Sequence, residues 1–133
     1  MKRFKLSTVN SKYWVWVRVF DDLKSMRDYA KKAQPDEDLN ESFGYFHPYW
    51  RKTLKDDEWT DNFNTGELIL NKKHLGNVIL SHELLHVAIW LWRRKYKTLT
   101  LGKECNKKEE EFCYLYGDLF AEFVHLMYKK NIF

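Results

Sequence analysis

Hydrophobic and polar positions change their period several times along the chain, and each change marks an element. Tyr13 to Phe20, YWVWVRVF, is a run of aromatic and β-branched residues without Gly or Pro, which predicts a strand buried on at least one face. Arg18 gives that strand a wet side, and the alternation puts Trp14 and Trp16 on one face, where the expectation for the pair is core. From Asp21 or Asp22, either of which can cap a helix, Leu23, Met26, Tyr29, Ala30 and Ala33 recur at three- and four-residue spacing until Gln34 and Pro35 end the pattern. Asp36 to Glu41 is an acidic loop. Ser42 to Trp50 predicts a second strand, kept short because Pro48 cannot donate in a central ladder. Arg51 to Thr65 is polar and without a clear period, and Gly66 to Leu70, GELIL, predicts a third strand. Two long helices follow, from about Leu75 to Lys95 and from about Lys107 to Lys130, joined by a loop, Tyr96 to Asn106, that contains Gly102. The second carries an apolar stripe of Phe112, Leu115, Leu119, Phe123, Leu126 and Met127. The order of strand, helix, two strands and two helices predicts an α+β fold, one domain over residues 1–133 with helices packed on a small twisted sheet.

Composition narrows the class. A chain of 133 residues that is 44% hydrophobic and 17% aromatic can build a real core, so disorder of the whole chain is excluded. Lys and Arg number 23 against 19 Asp and Glu, a formal charge of +4, but the cations are interspersed with acids rather than set apart in a basic arm. The densest cluster, Arg93, Arg94, Lys95 and Lys97, directly follows an apolar helical segment, where cations suit the negative end of the helix dipole, so nucleic acid is only weakly supported as a partner. The most apolar segments are cut by His82, Glu83, His86, Asp118, Glu122 and His125, so no membrane span is expected. Lys2, Arg3 and Lys5 are followed by Ser7, Asn10, Ser11 and Lys12 rather than by an apolar run, so no secretion signal is read. Cys105 and Cys113 form no framework spacing, which fits a reducing compartment and a cytoplasmic location.

The candidate chemistry sits in the first long helix. His82, Glu83, Leu84, Leu85 and His86 spell H-E-x-x-H. Four residues turn a helix by about 400°, so both imidazoles leave one face a turn apart and can share one metal ion, with Glu83 beside them to take a proton from a bound water. Val78, Ile79, Leu80, Leu84, Leu85, Val87, Ala88, Ile89 and Leu91 make the helix apolar nearly all round, which predicts that it is largely buried. The bland alternative is two helical histidines that merely pack.

Catalytic zinc usually takes three protein ligands and a water. Ile89, Trp90 and Trp92 stand where a metzincin would place its third histidine region, so that pattern is excluded and a carboxylate is the better candidate. The last helix opens with Glu109, Glu110 and Glu111. Glu110 shares a face with Cys113, Tyr114, Gly117 and Ala121, a strip of mostly small residues expected to let this helix lie close against the motif helix; Glu111 shares a wetter face with Tyr114, Leu115, Asp118 and Glu122. Glu110 is therefore the expected third metal ligand and Glu111 the second choice. Glu109 is read as an acid that favours a helix N-terminus.

The segments GELILNKKHLGNVILSHELLHVAIW and EEEFCYLYGDLF together resemble minimal zincin metallopeptidases of the gluzincin type, above all small metallopeptidases of phages and mobile elements, and more distantly the SprT and ImmA/IrrE families. The resemblance covers about the second half of the chain. It implies a zincin-like domain, Zn2+ held by His82, His86 and Glu110, Glu83 as general base, and a peptide or protein substrate. It also implies that the strand before the motif helix edges the cleft, so that Glu67 to Leu70 pairs with an extended peptide. Gluzincins often carry an acid one turn beyond the Glu ligand; here that position is Tyr114, whose hydroxyl, or else Asp118, is the candidate to replace it.

For a developing oxyanion the candidate donors are Tyr114, Tyr116, His47 and His74. Packing is the expected role of His47, His74 is expected to face solvent, and His125 lies too late in its helix to join the site. Cys113 is read as a small core residue and Cys105 as a loop thiol. Two other functions remain open at this stage, a non-catalytic zinc-binding interaction domain and a DNA-associated SprT-like protease.

Overall fold

The computed structural model describes residues 1–8, 11–39, 41–96 and 105–132. Six strands and three long helices run in the order β1 (Lys2–Leu6), β2 (Trp14–Phe20), α1 (Leu23–Ala33), β3 (Gly44–Pro48), β4 (Lys52–Lys55), β5 (Glu58–Asp61), β6 (Asn64–Asn71), α2 (Asn77–Tyr96) and α3 (Cys105–Lys129). A short 3-10 turn, Lys72–His74, leads from β6 into α2. This is the α+β class that the sequence predicts.

Four strands form one sheet in the order β1-β2-β6-β3, and β4 and β5 form a separate hairpin between β3 and β6. β2 and β6 are parallel, whereas β1 and β3 flank them antiparallel. β6 is thus an interior strand, and every residue from Thr65 to Asn71 is buried. This corrects the expectation that Glu67 to Leu70 borders the cleft. A strand covered on both faces reads as a nearly continuous apolar run, and GELIL has that character. The free edge beside the motif helix belongs to β3.

β1 is absent from the sequence expectation, although KRFKL alternates: Phe4 and Leu6 point into the core while Arg3 and Lys5 point out. On the inner face Phe4, Leu6, Val15, Val17, Val19, Leu68 and Leu70 meet Leu80, Leu84, Val87, Ala88 and Leu91 of α2 and Leu119, Phe123 and Met127 of α3. α1, capped by Asp22 Oδ1 accepting from the Ser25 amide at 2.7 Å, packs on the other face through Met26 and Ala30 against Phe20 and Ile69. Trp14 and Trp16 do share a face, but it is this second one, and both are only half-buried; the core positions of β2 are its valines.

Among the described residues no helix is long and apolar enough to cross a membrane. The Tyr96 to Asn106 loop, with Lys97 and Gly102, lies outside the described residues apart from its ends, as does the Cys105 thiol.

Candidate metal centre

α2 is less completely buried than its composition predicts. Leu80, Glu83, Leu84, Val87, Ala88 and Leu91 face the molecule, while Val78, Ser81, His82, Leu85 and His86 form an exposed stripe. The apolar surplus at Val78 and Leu85 is therefore solvent-facing, and the two histidines stand open between them.

His82 Nε2 and His86 Nε2 are 3.2 Å apart. Two nitrogens at about 2.0–2.1 Å from a tetrahedral zinc would be separated by about 3.3 Å, close to the spacing of this pair. Both rings leave the same side of the helix, as the spacing requires. Burial pulls the His86 pKa below its ordinary value, with His82 acting in the same sense, which keeps its imidazole in the neutral form that ligates metal.

Glu83 points to the buried side of the pair. It is 8% exposed, and its Oε1 lies 4.0 Å from His82 Nε2. Burial raises the Glu83 pKa, and His82 opposes this only in part. The carboxylate stem rests against the start of β3, where a Cβ on Gly44 would come within 3.0 Å of Glu83 Cγ and 3.3 Å of an Ile79 methyl. Glycine at this position lets the edge strand approach the helix, a requirement that one Gly in an aromatic strand does not announce.

The third ligand is not assembled with the pair. Among the described residues no group of three His, Cys, Asp or Glu side chains could hold a metal ion. Glu110 is exposed, and the carboxylate of Glu111 accepts from Tyr96 OH at 2.7 Å, at the far end of α2. The strip expected to bring Glu110 close instead faces solvent: Cys113, Gly117 and Ala121 are exposed, and a Cβ on Gly117 would meet nothing within 4 Å. The bulkier stripe of α3 is buried in its place, because it removes more apolar area from water than a strip of small residues. Cys113 is accordingly a surface thiol rather than a core residue.

Tyr114 is 69% exposed and lines a groove with Tyr96, Glu111, Asp118 and Tyr13, away from the histidines. Tyr116 is the phenol brought to the motif, donating to Ser81 O at 2.9 Å beside His82. Its place on the packed side of α3 next to Phe112 and Phe120 is the signal that distinguishes it from Tyr114. His47 lies in another cluster, 3.3 Å from Glu67 Oε1. His74 is half-buried rather than solvent-facing, with Nδ1 2.7 Å from Asn71 Oδ1 and its ring against Phe43. His125 is exposed late in α3.

The basic run after the motif is only partly a surface. Arg94 is buried and donates from its terminal nitrogens to Arg51 O at 3.2 Å and Asn62 O at 2.8 Å, whereas Arg93 and Lys95 are exposed. No known family, curated protein or solved structure matches this chain.

Proposed function

We propose that this chain is a zinc-dependent peptidase, and the observation that supports the reading most is the His82–His86 separation of 3.2 Å with Glu83 on its sheltered side. His82 and His86 would hold the ion, and Glu110, with Glu111 next in line, is proposed as the third protein ligand, which requires α3 to turn its exposed strip toward the pair when metal binds, because neither carboxylate stands beside the histidines here. A bound Zn2+ supplies a Lewis acid and lowers the pKa of its water. Glu83, shielded by β3 and raised in pKa by burial, is suited to accept a proton from a water at the histidine pair and return it to a leaving amine. Among the described residues the outer edge of β3 is unpaired, and it borders α2, so its backbone can align an extended peptide across the exposed histidine stripe. For an oxyanion donor the sequence candidate Tyr114 is less well placed than Tyr116, whose phenol already reaches the helix turn before His82. A cytoplasmic site of action and a phage or mobile-element origin belong to the same proposal.

Elemental analysis combined with peptide-library cleavage tests it. About one zinc per chain is expected, falling sharply in His86→Ala and Glu110→Ala. Glu83→Gln is expected to keep the metal and lose activity by about 100-fold or more. Retained zinc with no cleavage by the native chain would leave a metal-binding interaction domain. A chain that takes up no zinc would overturn the reading.

A further inference from the structure

The sheet face opposite α2 and α3 is only half covered. α1 seals the part built from Phe20 and Ile69 and covers Arg18 through Tyr29, while Arg3 and Lys5 of β1 and Trp14 and Trp16 of β2 remain beyond it. Register places Arg3 directly opposite Arg18, and Lys5 opposite Trp16. Like charges facing across an antiparallel pair destabilise it. The carboxylate at hand, Glu67, already accepts from Arg18 Nε at 2.8 Å and from Tyr29 OH at 2.8 Å, and among the described residues no acid pairs with Arg3 or Lys5.

The cations are held over aromatic surface instead. The Arg3 guanidinium lies 4.6 Å from the Trp16 ring centre and Lys5 Nζ 4.4 Å from that of Trp14, and the two indoles meet edge to face at 5.0 Å. The face therefore offers fixed positive charge interleaved with flat apolar rings on a rigid sheet. A ligand that satisfies both must carry spaced anions and flat groups that can stack. Single-stranded nucleic acid has this chemistry at every residue; a duplex hides its bases, and a peptide of Asp and Glu alone has no flat group for the indoles.

We propose that the open face of β1 and β2 binds single-stranded nucleic acid, with Arg3 and Lys5 on phosphates and Trp14 and Trp16 against bases. This surface is separate from the His82–His86 stripe, which lies on the outer side of α2. It stands whether or not the chain is a peptidase.

Fluorescence anisotropy of the full chain with a labelled oligothymidylate, across a salt series, tests the assignment. Two cations on a single strand predict a log–log salt slope of about −1.4. Arg3→Gln combined with Lys5→Gln should weaken binding about tenfold or more and bring that slope close to zero. Trp16→Ala should weaken binding about tenfold and reduce the quenching of tryptophan fluorescence by the oligonucleotide. Should Trp16→Ala fail to fold by circular dichroism, the exposed Lys5→Gln variant decides alone. Arg93→Gln, on the far side, should leave binding unchanged. Absence of binding at low salt, binding indifferent to Arg3 and Lys5, or equal competition by polyglutamate or by a blunt duplex would each overturn the proposal.

Discussion

Glu67 shows how one side chain can be both costly and necessary. It is buried in the central strand, and burial alone would raise its pKa; hydrogen bonds from Arg18, Tyr29 and His47 outweigh that and hold the carboxyl below its usual range. The same burial, and then the Glu67 charge, pushes the Tyr29 and Tyr49 phenols up to about 12. A carboxylate with a lowered folded-state pKa contributes stability that is complete above its unfolded value, about 4.3, and is lost as pH falls through the folded value. Glu67→Gln should therefore reduce the unfolding free energy by about 3 kcal/mol at neutral pH in urea titrations, with a smaller further loss on acidification than the native chain. None of this network is legible in GELIL, where Glu67 reads as one polar residue among apolar ones; its partners lie on β2, α1 and β3. His82, Glu83 and His86 are legible because their relation is local, set by one helical turn, whereas the place of Glu110 depends on which face of α3 meets α2.

Elements whose pattern repeats against a buried neighbour are the ones a sequence announces. β2, α1 and the two long helices have such a period and stand close to their expected limits. The β4–β5 hairpin does not, since all eight of its residues are exposed. Its one local sign is the turn, where Asp56 and Asp57 both take positive φ, 52° and 65°, as a tight hairpin turn requires. The hairpin owes its placement to α2: Arg94 ties Arg51 and Asn62 at its base, and Trp90 Nε1 donates to Thr65 O at 2.7 Å. Arg94→Ala should release this base, seen as faster amide exchange around residues 51–62 with a loss of about 1–3 kcal/mol in local protection. The exchange of β2 should hardly change. β1 is hard to read for a different reason, because a five-residue strand whose outward positions are Arg3 and Lys5 resembles a merely basic segment.

At the scale of the molecule the two sheet faces differ in what holds them. The inner face carries the main core, and Phe123, fully buried and with its ring centre 5.9 Å from that of Phe4 at a tilt of 54°, joins α3 to β1. Phe123→Ala should cost about 3–5 kcal/mol, read as a lower denaturation midpoint at an unchanged m-value. The fold class follows from element order, but the distribution of helices between faces does not, which is why Trp14 and Trp16 read as core and stand half in solvent. The parallel pairing of β2 with β6 joins residues such as Arg18 and Glu67, 49 positions apart. During synthesis β1, β2 and α1 emerge well before the strand that must lie between β2 and β3. The nascent chain therefore carries an open slot lined by Phe20, Met26 and Ala30 until Ile69 arrives, a period in which a chaperone, or a second copy of the same segment, competes for that place.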